Sequence, residues 1–357
     1  MPASTSSSTA DLWVLILAGG VGSRFWPVST PARPKQLLPL GSERPLIVDT
    51  VERLDGLVPL DRVRVLTGAA LVAPIRAATG LPESCFLVEP AARGTCPVLA
   101  WAAWTIERDH PGAVLASIHA DHVIEPADAF RALLADSARA ACERGLLLTT
   151  AVSPTRPETG YGYIEPGDVL GTYGSAELRR VRRFVEKPDH ETAGRYIQDG
   201  FLWNSGIFIW SARTFLDELT QTAPEVASEL SRLEVGDVDG FFKHVPVCTV
   251  DEAVLERSKR VGTVPATYAW DDVGAWEALS RTRRPDAHGN IAVGDAFSVD
   301  AHGNIVFSEE GPVVLFGVDD LVVVRSGALT FVTSRARSPH LKDLLARLPS
   351  SLGGSAP

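Results

Sequence analysis

The chain carries little positive charge for its length. Its 357 residues include 34 Lys and Arg against 44 Asp and Glu, which gives a formal net charge of −10. A nucleic-acid-binding protein needs a basic footprint, and an anionic membrane surface also attracts basic segments. The charge balance therefore argues against both partners, and any phosphate chemistry must depend on a few local cations.

Cysteine and long apolar runs are also scarce. The four cysteines are Cys85, Cys96, Cys142 and Cys248. They include no C-x-x-C pair, which argues against a zinc site and against a disulfide framework. No apolar run approaches the about 20 residues of a membrane span, and residues 1–11 lack the features of a signal peptide. We therefore expect a disordered tail over residues 1–11 and a soluble, cytoplasmic protein with reduced thiols and no membrane contact.

The glycine-rich stretch LILAGGVGSRFWPVSTPARPKQLLPL matches neither familiar phosphate-binding motif. A dinucleotide fingerprint would have a third glycine where Phe25 stands and would continue into a helix, which Pro27 blocks. A Walker-type loop would have its lysine directly after the last glycine and before Ser or Thr. Here Lys35 comes well after Gly22 and is followed by Gln36.

What this stretch offers instead is a strand that ends in unhindered backbone amides. The apolar run LWVLIL predicts the strand, and Gly19, Gly20 and Gly22 follow it with amides that can face an anion. Arg24 and Lys35 add two cations to a loop that prolines stiffen. We expect this loop to bind a polyphosphate with a second phosphate nearby; the alternative is a glycine-rich turn with solvated basic residues.

Apolar runs alternate with helical patterns through the first two-thirds of the chain. The runs LWVLIL, VRVLTG, AVLASI and LLLTTAV predict strands, and helical patterns cover PLIVDTVERLDGL, residues 97–109 and ADAFRALLADSARAACERG. This order predicts an α/β fold with a Rossmann-like, mostly parallel sheet and helices on both faces. From about residue 160 to 210 the sequence is rich in glycine and aromatic residues, and we expect antiparallel strands there, as an insertion covering one end of the sheet.

A fourteen-residue unit repeats near the C-terminus. DAHGNIAVGDAFSV at Asp286 is followed at once by DAHGNIVFSEEGPV at Asp300. Such repeats predict a short solenoid or a hairpin stack, which could pack on the main domain or on another subunit. We place a boundary near Arg284, with a catalytic domain over 12–284 and a β-repeat segment with a terminal helix over 285–357.

Ligands of open parallel sheets bind at the carboxyl ends of the strands, so the residues just past each apolar run are informative. Asp121 follows AVLASI and is suited to hold Mg²⁺, a hard cation that takes carboxylates together with phosphate oxygens. The alternative is that Asp121 caps the next helix. We expect His119 and His122 on alternate faces, as structural residues rather than zinc ligands. In WDDVGAW only one of Asp271 and Asp272 should face the site, because side chains alternate along an extended segment.

Six motifs occur in order along the chain: LAGGVGSRFWPVSTPARPK, ADHVI, TGYGYI, VEKP, WNSGIF and WDDVGAW. Together they resemble the sugar-1-phosphate nucleotidylyltransferases, and within that family the mannose-1-phosphate guanylyltransferases, also called GDP-mannose pyrophosphorylases. The resemblance extends over about residues 13–305. It implies the nucleotide-diphospho-sugar transferase fold, with a small β-rich C-terminal segment. It also implies a monofunctional enzyme of nucleotide-sugar biosynthesis without an isomerase domain, for which a homodimer is one assembly to expect.

The resemblance implies transfer of GMP from GTP to mannose 1-phosphate, with GDP-mannose and pyrophosphate as products and Mg²⁺ as cofactor. The implied metal ligands are Asp121 and Asp272, and the implied catalytic residues are Arg24, Lys35, Asp121 and Lys187. The implied nucleotide-binding residues are Leu17, Ala18, Gly19, Gly20, Gly22, Arg24, Lys35, Glu89, Thr95 and Asp121. The implied sugar-phosphate-binding residues are Gly162, Glu186, Lys187, Asn204 and Asp272. The nucleophile is a phosphate oxygen that is already anionic at pH 7, so in-line attack on the α-phosphorus needs no general base.

The chain departs from the family pattern in EPAARGTCPVLA, a segment that helps to hold the guanine in relatives. Gly94 and Cys96 stand where an asparagine and an alanine are expected, which leaves base selection less constrained. The alternatives are a nucleotidylyltransferase for another sugar phosphate or base, a catalytically silent homologue that senses nucleotide sugars, and a glycosyltransferase. Arg24, Lys35 and the two implied metal ligands are all present, which argues against the silent homologue. A glycosyltransferase would lack the glycine-rich loop that carries Arg24 and Lys35.

Overall fold

The computed structural model describes residues 11–20, 22–349 and 352, so all but the last residue of the tail expected over 1–11 lies outside it. The strands are β1 (Leu12–Leu17), β2 (Val63–Gly68), β3 (Phe86–Glu89), β4 (Val114–His119), β5 (Val123–Glu125), β6 (Leu147–Val152), β7 (Gly162–Tyr173), β8 (Ala176–Glu186), β9 (Leu202–Ser211), β10 (Val261–Pro265), β11 (Ala269–Asp271), β12 (Ile291–Val293), β13 (Ala296–Val299), β14 (Ile305–Ser308), β15 (Val313–Phe316), β16 (Leu321–Ser326) and β17 (Leu329–Ser334). The α-helices are α1 (Leu46–Glu52), α2 (Ala69–Thr79), α3 (Thr95–Asp109), α4 (Ala127–Arg144), α5 (His190–Gln198), α6 (Ala212–Thr222), α7 (Pro224–Ala227), α8 (Leu230–Glu234), α9 (Val238–His244), α10 (Leu279–Thr282) and α11 (Leu341–Leu345), and a π-helical turn spans Asp251–Leu255. In this described part of the chain, no helix has both the length and the apolar character needed to cross a bilayer.

Nine strands form one sheet in the order β3-β2-β1-β4-β9-β6-β10-β8-β7. As the alternation of strands and helices predicted, β1 is parallel to β2 and β4, and β6 is parallel to β10. Every residue of β1 is buried, because a central strand of a parallel sheet is covered on both faces. One apolar core packs α1, α2 and α4 against one face of the sheet, and a second packs α3 and α6 against the other. The predicted α/β fold is confirmed.

The segment rich in glycine and aromatic residues is not an insertion over one end of the sheet. Its strands are antiparallel, as expected, but β9 pairs with β4 and β6 inside the sheet, while β7 and β8 form its edge. The expectation was wrong because residues 207–210 are apolar on both faces of β9, and such a strand is most stable in the sheet interior. Helix α2 and strand β3 were not predicted from the sequence, since Pro74 interrupts the helical pattern of α2 and β3 has only four residues.

The C-terminal repeat forms a short parallel solenoid. Strands β12, β14 and β16 stack in one sheet, and β13 stacks with β15 in a second. The asparagines of the two DAHGN units lie one above the other, and Asn304 donates to Oδ1 of Asn290 from its backbone N–H at 2.9 Å and from Nδ2 at 3.0 Å. The solenoid shares an apolar core with Phe25 and Trp276 of the preceding part of the chain. It therefore packs on the main domain, and the boundary near Arg284 stays a prediction.

Candidate active site

A cavity of about 290 Å³ opens where β1, β2, β3 and β4 end. The predicted nucleotide-binding residues that line it are Leu17, Ala18, Gly19, Gly20, Glu89, Thr95 and Asp121. Its floor is fixed at the end of β1, where the carbonyl oxygen of Ala18 accepts hydrogen bonds from Thr67 Oγ1 at 2.9 Å and from Gln36 Nε2 at 3.1 Å. A separate cavity of about 480 Å³ lies between α1 and β5, and its described lining includes none of the predicted site residues.

The loop after β1 folds back so that Gly22 and Lys35 lie against each other. Gly22 has a φ of 70°, and a Cβ at this position would clash with the Cβ of Lys35, so only glycine fits. The loop is held by Ser29, whose Oγ donates to the carbonyl oxygen of Gly22 at 2.7 Å. Lys35 is consequently only 7% exposed, whereas Arg24 is exposed and lies outside the described lining of the cavity.

The short antiparallel pair of β5 and β11 brings Asp121 and Asp272 to the same edge of the sheet. The Lys35 ammonium joins them, because its Nζ lies 2.8 Å from Oδ2 of Asp121 and donates to the backbone carbonyl oxygen of Asp272. Burial opposes the ionisation of Asp121, but the charge of Lys35 outweighs it and holds the pKa of Asp121 well below its ordinary value. Burial raises the pKa of Asp272, and the nearby carboxylates of Asp271 and Asp121 add to the effect. A hard divalent cation between two such carboxylates would relieve the repulsion, so this donor set fits Mg²⁺.

Asp271 and Asp272 have different partners, and the expectation that only one of them faces the site stays a prediction. Asp271 forms a two-pronged ion pair with Arg281, whereas Oδ1 of Asp272 accepts a hydrogen bond from the hydroxyl of Tyr161. Burial and the charge of Asp272 raise the pKa of Tyr161, so this hydroxyl keeps its proton and remains a donor. Tyr161 was not among the predicted site residues, although its place inside TGYGYI was an available signal.

His119 and His122 lie together beside Asp121 and not on alternate faces. Their rings stack with centroids 4.6 Å apart, and one ligand atom from each lies within 4.8 Å of a carboxylate oxygen of Asp121. The alternation failed because β4 ends at His119, so His122 belongs to the following turn. His122 Nδ1 accepts from Trp270 Nε1 at 3.0 Å, and burial lowers the pKa of both histidines. Both rings are therefore neutral groups that pack next to the acid.

The predicted sugar-phosphate-binding residues meet on the other side of Asp272. Gly162 begins β7 and is paired with Glu186, the last residue of β8. A Cβ at position 162 would lie 2.5 Å from Oε2 of Glu186, so glycine makes room for this carboxylate. Oε1 of Glu186 pairs with Lys187 Nζ at 2.7 Å, whereas Oε2 is buried and has no hydrogen-bond partner among the described residues. Because an unsatisfied buried acceptor is costly, Oε2 is suited to accept from a ligand hydroxyl.

Lys187 has a backbone conformation that is unusual for a residue other than glycine. Its φ is 46°, and strained residues of this kind cluster at ligand-binding sites. The backbone is held by a hydrogen bond from the Lys187 N–H to the carbonyl oxygen of Tyr161 at 3.1 Å. The hydrogen bond to Glu186 raises the pKa of Lys187, and its side chain is 57% exposed. The site therefore presents a charged ammonium to the solvent next to the free acceptor of Glu186.

The departure from the family pattern at Gly94 has a packing reason, whereas nothing in the structure explains the cysteine at position 96. Gly94 has a φ of 86°, and a Cβ at this position would clash with the carbonyl oxygen of Cys248, so asparagine would not fit. Cys96 is fully buried, and its backbone N–H donates to the same carbonyl oxygen at 3.3 Å. Gly94 is the N-cap of α3. The hydroxyl of Thr95, the first residue of this helix, accepts from the backbone N–H of Val250 at 2.9 Å.

Comparison with known proteins identifies the family. Residues 13–288 match the family model described as nucleotidyl transferase. The chain belongs to this nucleotidyl transferase family. The mannose-1-phosphate guanylyltransferase of Escherichia coli K12 is 34% identical over 354 residues, which cover 95% of this chain and 74% of that protein. The mannose-1-phosphate guanylyltransferase ManC of Salmonella typhimurium LT2 is 33% identical over 355 residues, which cover 94% and 73%.

The fold comparison agrees with the sequence comparison. The crystal structure of mannose-1-phosphate geranyltransferase from Thermus thermophilus matches with a TM-score of 0.88 and 32% identity, over 94% of this chain and 99% of that one. The family expected from the six motifs is thus confirmed. In this nucleotidyl transferase Asp272 connects two parts of the site, since Lys35 from the loop after β1 donates to its backbone carbonyl oxygen and Tyr161, just before β7, donates to its carboxylate.

Proposed function

We propose that the chain transfers GMP from GTP to mannose 1-phosphate, with GDP-mannose and pyrophosphate as products. The observation that carries the proposal is the contact network around Asp272, which joins a glycine-lined cavity to a pocket with a free carboxylate acceptor. The relatives named mannose-1-phosphate guanylyltransferase support the choice of base and sugar.

In this proposal the guanosine triphosphate occupies the cavity with its phosphates over the amides of Gly19, Gly20 and Gly22. Backbone amides at the end of a strand are fixed dipoles and need no reorganisation to bind an anion. Lys35 is held in place by Asp121, and Arg24 supplies a second, exposed cation on the same loop. Leu17, Ala18, Glu89 and Thr95 form the walls that receive the nucleoside.

Mannose 1-phosphate occupies the other side of the site. The ammonium of Lys187 binds its phosphate, and Glu186, Asn204 and the backbone at Gly162 bind its hydroxyls. A sugar hydroxyl supplies the donor that Oε2 of Glu186 lacks in the described part of the chain. Since the attacking phosphate oxygen is already anionic, no residue has to remove a proton, and catalysis rests on positioning and on neutralisation of charge.

Asp121 and Asp272 are the residues that would hold Mg²⁺. When bound, the ion would neutralise charge on the reacting phosphates. Lys35 keeps Asp121 ionised, as the lowered pKa of that carboxyl shows, and Tyr161 orients Asp272 by donating to Oδ1. Contacts with Lys35 and Tyr161 therefore hold both acids in position to bind a cation.

We also propose a cytoplasmic location. All four cysteines are free thiols, as expected in a reducing compartment. The homodimer stays a prediction, and within the chain the solenoid packs on the main domain.

The first expected result concerns substrate choice. Pyrophosphate release should be measured across four nucleoside triphosphates and several hexose 1-phosphates in the presence of Mg²⁺. GTP with mannose 1-phosphate should give a specificity constant at least about tenfold above any other pair, the usual range for discrimination between similar substrates. Robust activity with UTP or dTTP and glucose 1-phosphate, but none with GTP and mannose 1-phosphate, would contradict the proposal. No turnover with any pair would favour the silent homologue.

A second expected result concerns Gly162. In Gly162→Ala the added Cβ takes space within 2.5 Å of Oε2 of Glu186, so the carboxylate must turn away from the sugar. Loss of a charged hydrogen bond costs about 1.5–3 kcal/mol, so KM for mannose 1-phosphate should rise about tenfold or more while KM for GTP stays unchanged. Gly194→Ala in α5 is the matched control, because a Cβ there meets nothing within 4 Å. Equal changes in both variants would show that the space at Gly162 has no role in sugar binding.

A further inference from the structure

Asp251 lies beside the sugar side of the site, although no motif of the sequence marks it. It begins the π-helical turn Asp251–Leu255, and π-helical turns occur frequently at functional sites. Its Oδ1 accepts a hydrogen bond from Nδ2 of Asn204 at 2.8 Å. Asp251 is therefore in direct contact with a residue that the proposed function assigns to the sugar.

The side-chain amide of Asn204 is held at both ends. Its Oδ1 accepts from Thr149 Oγ1 at 2.8 Å and from the backbone N–H of Gly206 at 3.2 Å. Two donors face this oxygen and a carboxylate faces the nitrogen, so the orientation of the amide is fixed by its partners. With both lone pairs of Oδ1 used and one N–H given to Asp251, Asn204 has one remaining N–H to offer a ligand.

The charge around Asp251 favours a ligand with hydroxyl groups. Burial and the nearby charge of Glu186 raise the pKa of Asp251 to about 7. Oε2 of Glu186 is a buried acceptor with no donor among the residues that the structure describes, and Asn204, which gives one N–H to Asp251, has a second N–H to donate. A hydroxyl group can both accept and donate, so this donor and acceptor together match the hydroxyls of a sugar ring.

We propose that Asp251 is a positioning residue that selects the sugar: it holds the Asn204 amide so that its remaining N–H, together with Oε2 of Glu186, recognises the ring hydroxyls of a hexose 1-phosphate. This inference rests on the proposed function, since it takes the ligand of this pocket to be a sugar 1-phosphate. Asp251 acts through Asn204 and does not itself touch the reacting phosphates.

The test compares Asp251→Ala, Asp251→Asn and Glu252→Ala in the full chain. In the alanine variant the Asn204 amide loses its acceptor, and KM for mannose 1-phosphate should rise about tenfold or more while KM for GTP changes less than about twofold. Asp251→Asn keeps an oxygen acceptor of the same shape and should stay within about threefold of the wild type. Glu252→Ala is the matched control, because Glu252 is exposed and its carboxylate accepts from Thr249 on the same turn.

Two further measurements separate positioning from a general structural role. In an Asn204→Ala background, Asp251→Ala should add little, since residues that act through one group are non-additive. Mannose 1-phosphate analogues that lack single ring hydroxyls should be rejected less strongly by Asp251→Ala than by the wild type. Equal increases of both KM values, additive losses in the double variant, or unchanged discrimination among the analogues would each overturn the inference.

Failure of the proposed function can be told apart from failure of this inference. If the wild type prefers a different hexose 1-phosphate, the same variants are compared with that substrate, and a selective rise of its KM in Asp251→Ala would support the role of Asp251. If the chain shows no turnover, calorimetric binding of mannose 1-phosphate and GDP-mannose gives the same comparison. A wild-type chain that binds no sugar phosphate at all would overturn both.

Discussion

Asp121→Asn and Asp272→Asn should each lose turnover about a hundredfold or more, the typical effect of removing one preorganised electrostatic group from a site. The double variant should lose little beyond the single variants. Both acids lie at one edge of the sheet around the Lys35 ammonium, where they would hold a single Mg²⁺. Mg²⁺ loses its water ligands reluctantly, so a single carboxylate binds it weakly. Loss of either acid should therefore remove most of the rate enhancement that the two acids provide together.

The experiment measures the three variants at saturating Mg²⁺, with circular dichroism and thermal unfolding to show that each is folded. Asp271→Asn is the matched control, because Asp271 is the neighbouring acid and its carboxylate is paired with Arg281. It should keep near-normal turnover. A metal titration followed by calorimetry gives a second readout, in which both site variants should bind Mg²⁺ more weakly. Additive losses, or near-normal turnover in Asp121→Asn or Asp272→Asn, would show that the two acids do not share an ion.

Lys187→Ala should reduce the specificity constant for mannose 1-phosphate about ten- to hundredfold, since an ammonium paired with a phosphate contributes about 1.5–3 kcal/mol. KM for GTP should stay close to that of the wild type. The structure is consistent with this separation, because Lys187 pairs with Glu186 and its backbone N–H donates to Tyr161, whose hydroxyl in turn donates to Asp272.

Two comparisons sharpen this second result. Lys187→Arg keeps the positive charge and should recover part of the lost specificity constant. Lys259→Ala removes an exposed lysine outside the site and should leave both KM values unchanged. An unchanged specificity constant in Lys187→Ala would remove Lys187 from the site, and an equal loss for both substrates would point to a general effect on the fold.

Local patterns were sufficient for much of the parallel half of the sheet. The run LWVLIL became the fully buried strand β1, and the helical pattern near residue 97 became α3, which begins at Thr95. Patterns of this kind succeed because the spacing of apolar residues along a strand or helix follows the face that is buried. The patterns did not predict the position of β9 in the sheet, since an apolar run contains no information about which strands it pairs with. They also did not predict α2, because Pro74 interrupts its helical pattern.

The sequence alone determined which chemical groups are present and in what order. The glycines after β1, the cations Arg24 and Lys35, and the six motifs identified the family before any fold was known. The alternation of side chains also indicated that only one acid of the WDD motif would face the site.

Only the tertiary structure decided how these groups meet. The order of the strands and the pairing of β5 with β11 place Lys35 between Asp121 and Asp272 and bring Asp251 to Asn204. They also leave Oε2 of Glu186 with no donor from any described residue. Each of these contacts joins residues on separate elements, and its existence depends on which strands are neighbours. Hydrophobic periodicity records whether a residue is buried but not which partner it meets, so these contacts could not be predicted from the sequence.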